Sequence, residues 1–341
     1  MRTSVKTFAA AVAAALLCST PGVTRADDAS TQGDCRSFFF PVPQGQLAST
    51  LCQPLSGPSD TVLVLMSGSS YNGTYWDFEY APETYSFRRA MNAAGLATLV
   101  VDRLGNGAST HPPALSLTAT ATTNALHDIV GALRRGLAGA PPFAKVVPVG
   151  HSLTSGTAVV EATSHHDVDG LVLTGYSHAL NIPQVVSVIA TYHRAVDDPV
   201  TAGRTTDPGY LVTRPGTRLY SFFDPANVDP EVLAIDERNK ELFSLTEYPD
   251  ALTSTVPGMS SHITAPVLIV NGSRDRLSCG ENYSICADSE TLRNAEAPYF
   301  SPAAKLRTFV LPGSGHSVNL ARNTREYQAA VIDWVNTYVR R

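Results

Sequence analysis

The sequence predicts an α/β protein: a doubly wound, mostly parallel sheet with an inserted, mostly helical cap. Three observations lead there. Short apolar, β-branched runs recur at wide intervals, at residues 61–66, 96–102, 144–150, 170–175, 265–272 and 306–313. Runs of this kind read as strands buried on both faces, as in a parallel sheet covered by helices. Segments with apolar spacing near 3.6 fall between them, and strand-helix alternation puts helices on both sheet faces. Finally, residues 182–263 break the rhythm and contain no run of the buried-strand type.

Taken in order, residues 1–26 start with basic Arg2 and Lys6, continue through an apolar run from Phe8 to Cys18 and end on Thr24-Arg25-Ala26. Basic start, apolar middle and small-x-small end are the layout of a secretory signal peptide, here cleaved after Ala26. The apolar run is about half of the ~20 residues that a membrane span needs, so no stable membrane anchor is expected. Cys18 leaves with the signal, and the mature protein is expected to be secreted.

Beyond the signal, short runs near Phe38 and Leu47 suggest an antiparallel hairpin at the leading edge of the sheet. The core is expected in two parts, 27–181 and 264–341. Helices are expected at 82–94, 121–137, 152–164 and 323–339, the last placing Tyr327, Val331, Trp334 and Tyr338 along one face. The 182–263 interval holds helical fragments such as "PEVLAIDERNKELFSL" and a set of aromatics that includes Tyr192, Tyr210, Phe222 and Tyr248. A structureless loop of that size is improbable inside a compact domain, so it reads as a cap or lid.

With 341 residues, 43% hydrophobic and 16% charged, the chain can bury a sizeable core. Its formal charge of −5 becomes −8 once Arg2, Lys6 and Arg25 depart with the signal. That balance lacks the basic footprint of a nucleic-acid or anionic-membrane binder, so a small molecule is the expected partner. Cys35, Cys52, Cys279 and Cys286 remain, an even number in an exported chain, which suggests two disulfides. Of the three possible pairings the local ones are favoured: Cys35 and Cys52 flank the hairpin, and Cys279 and Cys286 close one short loop. No C-x-x-C pattern is present, and no metal or cofactor is expected. N-x-[ST] sequons stand at Asn72, Asn271 and Asn282, with Asn271 a poor acceptor at a buried strand end.

The chemistry centres on "VVPVGHSLTSG", residues 146–156. Ser152 stands two residues after a strand ends at Gly150, and a helical pattern begins just beyond it. A serine on so sharp a turn takes a strained backbone conformation that lifts its hydroxyl from the sheet, and it needs small neighbours two residues to either side. Gly150 meets that need. Thr154 meets it only partly, and is expected to pack where glycine usually sits, with a looser helix-to-strand contact that Thr154→Gly would tolerate.

A serine hydroxyl is a poor nucleophile without a base. Among nine histidines, His316 in "VLPGSGHSVNL" follows the last strand across a glycine-rich loop and is the best placed. His151 and His178 are expected to line the site; His111, His127, His165, His166, His193 and His262 fall in helices, cap or connections. The group that orients the imidazole is best supplied by Asp275, after the strand at 265–272, with Asp288 as the alternative. "DRLGNGAS" from Asp102 lacks a phosphate-loop or dinucleotide pattern and reads as a structural turn.

Ser152, Asp275 and His316, in that order and each after a later strand, resemble the α/β-hydrolase superfamily from about residue 60 to the end of the chain. The resemblance implies the α/β-hydrolase fold and a serine esterase or lipase-like activity on a small acyl substrate, to which the aromatic-bearing cap adds the expectation of apolar bulk. It also implies an oxyanion hole built from the backbone N–H groups of Ser69, in "MSGSSYNG", and Leu153. The same three residues would serve a lactonase, thioesterase, peptidase, acyltransferase or C–C hydrolase. A secreted binding protein on the same fold is the reading of a different kind.

Overall fold

The computed structural model describes residues 34–341; the expected signal peptide, 1–26, lies outside the described residues. Among the described residues ten strands are present. They are β1 (Cys35–Val42), β2 (Gly45–Cys52), β3 (Thr61–Met66), β4 (Ala97–Val101), β5 (Lys145–His151), β6 (Leu171–Thr174), β7 (Tyr192–Arg194), β8 (Leu211–Thr213), β9 (Val267–Gly272) and β10 (Arg307–Leu311). Eight of them form one sheet in the order β1-β2-β4-β3-β5-β6-β9-β10. From β4 to β10 the neighbours run parallel, while β2 lies antiparallel to both β1 and β4.

The parallel strands are apolar along their whole length because both faces are covered. Val62, Val64 and Met66 of β3 join one core, while Leu63 and Leu65 join the core on the opposite face. Period-2 alternation of side chains divides one continuous run between two cores. Full burial of each such side chain contributes about 1.5–3 kcal/mol.

Helices α1 (Pro82–Tyr85), α2 (Phe87–Ala93), α3 (Ala119–Arg135) and α4 (Leu153–His165) precede the long interval. The single helix expected over 82–94 is broken at Ser86, whose backbone is extended and whose hydroxyl accepts from Arg89 N–H to cap α2. Thr118 caps α3 in the same way through Ala121 N–H. The interval itself carries α5 (Ile182–Ile189), α6 (Arg218–Phe222), α7 (Pro230–Arg238) and α8 (Tyr248–Leu252). It also holds the antiparallel ribbon β7–β8, which the helical reading did not anticipate. After β9 come α9 (Ser289–Glu296) and α10 (Thr324–Tyr338). Tyr327, Val331 and Trp334 of α10 are buried, as its apolar spacing predicts.

Disulfides join Cys35 to Cys52 and Cys279 to Cys286. The first links residues that are direct cross-strand partners in the β1–β2 hairpin. Among the described residues no helix is long and apolar enough to cross a membrane.

Candidate active site

The turn after β5 holds a residue in a strained backbone conformation. Ser152 has φ 55° and ψ −119° and precedes the first residue of α4. A left-handed φ in a non-glycine residue costs on the order of 1–3 kcal/mol and persists only where its surroundings enforce it. Part of that enforcement is the bond from Ser152 N–H to Thr174 O, 2.8 Å, which ties the turn to β6. A β-carbon at Gly150 would lie 2.5 Å from Ser155 N, so the position two residues before the serine admits glycine alone.

Two residues after it, Thr154 is buried and its hydroxyl is fully engaged. Thr154 Oγ1 donates to Met66 O at the end of β3 (2.6 Å) and accepts from His151 N–H (2.9 Å). The looser contact expected of a threonine in a glycine position is therefore absent. A side-chain bridge from α4 to the ends of β3 and β5 takes its place.

Asp275 lies in the loop after β9 and is fully buried. One carboxylate oxygen accepts from Leu277 N–H (2.8 Å) and Ser278 N–H (3.2 Å), which fixes the group within its own turn. The other accepts from His316 Nδ1 at 2.9 Å. That bond leaves Nε2 as the ring's remaining functional nitrogen, and Nε2 is shielded from water without a protein hydrogen-bond partner. Ser152 and His316 both line one cavity of about 80 Å³. No hydrogen bond joins their side chains; such bonds are commonly long or misaligned before substrate binds.

The apolar wall of that cavity comes from Leu153, Leu180, Val185, Tyr248, Leu252 and Leu277, so the long interval and the core both contribute. A larger cavity of about 520 Å³ lies beside the β1–β2 hairpin, lined by Phe38, Phe39, Asn72 and Asp102 among others. It contains none of Ser152, Asp275 and His316.

Ser69 lies in the loop after β3. Its neighbour Gly68 abuts the turn, where a β-carbon would fall 2.9 Å from Ser152 Cβ. Among the described residues neither Ser69 N–H nor Leu153 N–H donates to a protein acceptor. Leu153 is among the residues that line the cavity, and Ser69 is not.

The other histidines are engaged elsewhere. His151 stacks on Tyr75 with ring centroids 4.5 Å apart, and its Nδ1 pairs with Thr174 Oγ1 at 3.1 Å. Burial, reinforced by nearby His316, holds its pKa well below the usual histidine value, so it stays neutral. His178 bonds Glu296 (2.6 Å) and Ser260 (3.0 Å), and His193 bonds Asp198 (2.9 Å). His127 and His165 stack on each other on the helix layer. Asp288, the alternative acid, caps α9 through Thr291 N–H.

Several supporting residues carry no sequence signature. Asn271, the poor sequon, is buried and exchanges bonds with both Tyr176 N–H and Tyr176 O, clamping β9 to the loop after β6. Tyr71 and Ser317 share a 2.8 Å hydroxyl bond that joins the β3 loop to the residue after His316. Over the Tyr71 ring lies the Arg218 guanidinium, 4.4 Å from the centroid, with its charge paired to Asp236 at 2.9 Å. Each link spans a long stretch of chain, and only the folded arrangement reveals it.

Comparison with known proteins agrees with the fold. The sequence matches the alpha/beta hydrolase family over residues 63–330. No curated protein sequence matches it significantly. Among solved structures it resembles Est1E from Butyrivibrio proteoclasticus with ferulic acid bound (16% identity, 89% of this chain and 100% of that one, TM-score 0.56). A soluble variant of monoglyceride lipase from Saccharomyces cerevisiae is similar at 12% identity (89% and 95%, TM-score 0.60). The enol-lactonase from Burkholderia xenovorans is similar at 17% identity (88% and 100%, TM-score 0.55). At these identities the structural likeness speaks to the fold, and the family match, which spans most of the chain, carries the assignment: this protein belongs to the alpha/beta hydrolase family.

Proposed function

We propose that the protein is an exported serine hydrolase that cleaves carboxylic esters with small, apolar acyl groups. The observation that carries this reading is His316, held by Asp275 through Nδ1 and presenting Nε2 beside a cavity that Ser152 also lines. In the proposed reaction Nε2 takes the Ser152 hydroxyl proton as Oγ attacks the acyl carbon. The oxyanion is held by the Ser69 and Leu153 amides, each typically contributing about 3 kcal/mol of transition-state stabilisation. The imidazolium then protonates the departing alcohol. Water, deprotonated by His316, attacks the acyl-enzyme, and the acid leaves as Ser152 recovers its proton. Asp275 orients the ring and stabilises the imidazolium.

The cavity supports the substrate class. Its walls are mainly aliphatic and aromatic, and about 80 Å³ holds roughly three groups of water size at the ~30 Å³ that each takes in the liquid. A short acyl chain fits this volume. The likeness to an enol-lactonase gives a second reading, an intramolecular ester opened by the same three residues. Two disulfides support export to an oxidising compartment.

Labelling with a fluorophosphonate probe tests the proposal. Intact protein should be labelled and Ser152→Ala should not, with p-nitrophenyl butyrate hydrolysis lost in parallel. A folded wild-type protein that resists the probe would favour the binding-protein reading. Turnover of lactones at the expense of open-chain esters would favour the lactonase.

A further inference from the structure

We infer that His127, Glu161 and Asp167 form a binding site for one divalent transition-metal ion, with zinc as the best-matched probe. The site lies on the helix layer, apart from Ser152, and goes beyond the proposed hydrolysis. His127 projects from α3, Glu161 from the facing side of α4, and Asp167 from the turn that follows α4.

Glu161 is the observation that points to a ligand. Its carboxylate is completely buried, yet neither oxygen has a hydrogen-bond partner. A buried carboxylate without donors is costly unless a cation or a proton meets it. His127 Nδ1 and one oxygen of Asp167 are also shielded without a hydrogen bond, and all three side chains converge. Their ligating atoms lie within 4.8 Å of one another.

The spacing suits a small ion. Ligands at about 2.1 Å from a tetrahedral zinc stand about 3.4 Å apart. Here His127 Nδ1 is 3.6 Å from Glu161 Oε1 and 2.9 Å from Asp167 Oδ2. One imidazole nitrogen with two carboxylates favours zinc or a neighbouring transition metal over calcium or magnesium, which prefer oxygen alone. His127 and Asp167 are partly exposed, which provides an entry path and leaves the remaining position to water. The ion would clamp α3 to α4, the helix that begins at the Ser152 turn.

The test uses tag-free, EDTA-stripped mature protein dialysed against zinc chloride, with bound metal measured after removal of the excess. Wild type should retain one zinc per chain, and its melting temperature should rise by about 4 °C at a hundredfold excess over Kd. Glu161→Gln and His127→Ala, checked for folding by circular dichroism, should each weaken zinc binding at least ~100-fold and abolish the rise. His193→Ala, at a histidine outside the cluster, should behave as wild type. Failure of wild type to retain zinc, or undiminished binding in folded Glu161→Gln or His127→Ala, would overturn the proposal. If one of the two variants fails to fold, the other decides.

Discussion

Replacing Thr154 by valine removes a hydroxyl while nearly preserving shape. Both of its backbone partners, Met66 O at 2.6 Å and His151 N–H at 2.9 Å, lie in buried residues and lose that bond. Leaving a neutral buried group unsatisfied costs about 1–3 kcal/mol, so the pair predicts a loss of about 2–6 kcal/mol. With a urea m-value of about 3 kcal/mol/M, the unfolding midpoint should fall by roughly 0.7–2 M. Thr154→Ser, which keeps the hydroxyl, should stay within about 1 kcal/mol of wild type. Thr154→Gly should fall with the valine variant, contrary to what the motif alone suggests. Urea denaturation of the three variants, alongside turnover of a chromogenic short-chain ester, reads both consequences. A Thr154→Val midpoint indistinguishable from wild type would show that the two bonds carry no net energy.

Other expectations follow from the same geometry. His151 is kept neutral by burial, with a native pKa below the 6.5 of the unfolded chain. Below that pH the unfolded state binds a proton the native state refuses, so stability should fall with acidification by up to about 1.4 kcal/mol per pH unit. His151→Phe, which retains a ring beside Tyr75, should flatten that slope by one proton in denaturation curves between pH 6.5 and 5; an identical slope would refute the assignment. Removing the Cys279–Cys286 bridge by double alanine substitution should cost about 2–3 kcal/mol and lower kcat by loosening the Asp275 loop, and a combination of unchanged melting temperature and unchanged kcat would count against it. Across p-nitrophenyl esters, kcat/KM should be highest for two to four carbons. Val185→Ala should shift that preference toward longer chains, and a wild-type optimum at a long acyl chain would contradict the cavity argument.

How much of this was legible in the sequence depends on the range of the interaction. The buried strands were readable because a strand covered on both faces must be apolar throughout, and Thr61–Met66 is a clear case. The β7–β8 ribbon was not, since three-residue strands such as Tyr192–Arg194 carry charge and show no usable period. Ser152, Asp275 and His316 could be proposed because each follows a strong strand signal, and the structure brings Asp275 and His316 into direct contact. What Thr154 does could not be read, because its acceptor belongs to another strand 88 residues away. The Tyr71–Ser317 bond spans 246 residues and escapes any local rule for the same reason. His127 and Glu161 each looked ordinary alone, and only helix packing sets them face to face.

The β1–β2 disulfide has a consequence for handling the protein. β1 is the outer strand of the sheet, so one side of its backbone is free to template another chain, and Phe39 on it is 57% exposed. The Cys35–Cys52 link fixes that strand in register with β2 at its first residue. Made in a reducing cytosol, the hairpin would lose that restraint and expose a second adhesive edge along β2. Aggregation during cytosolic expression, relieved by routing the chain through an oxidising compartment, is therefore expected from the sheet's border, independently of Ser152, Asp275 and His316.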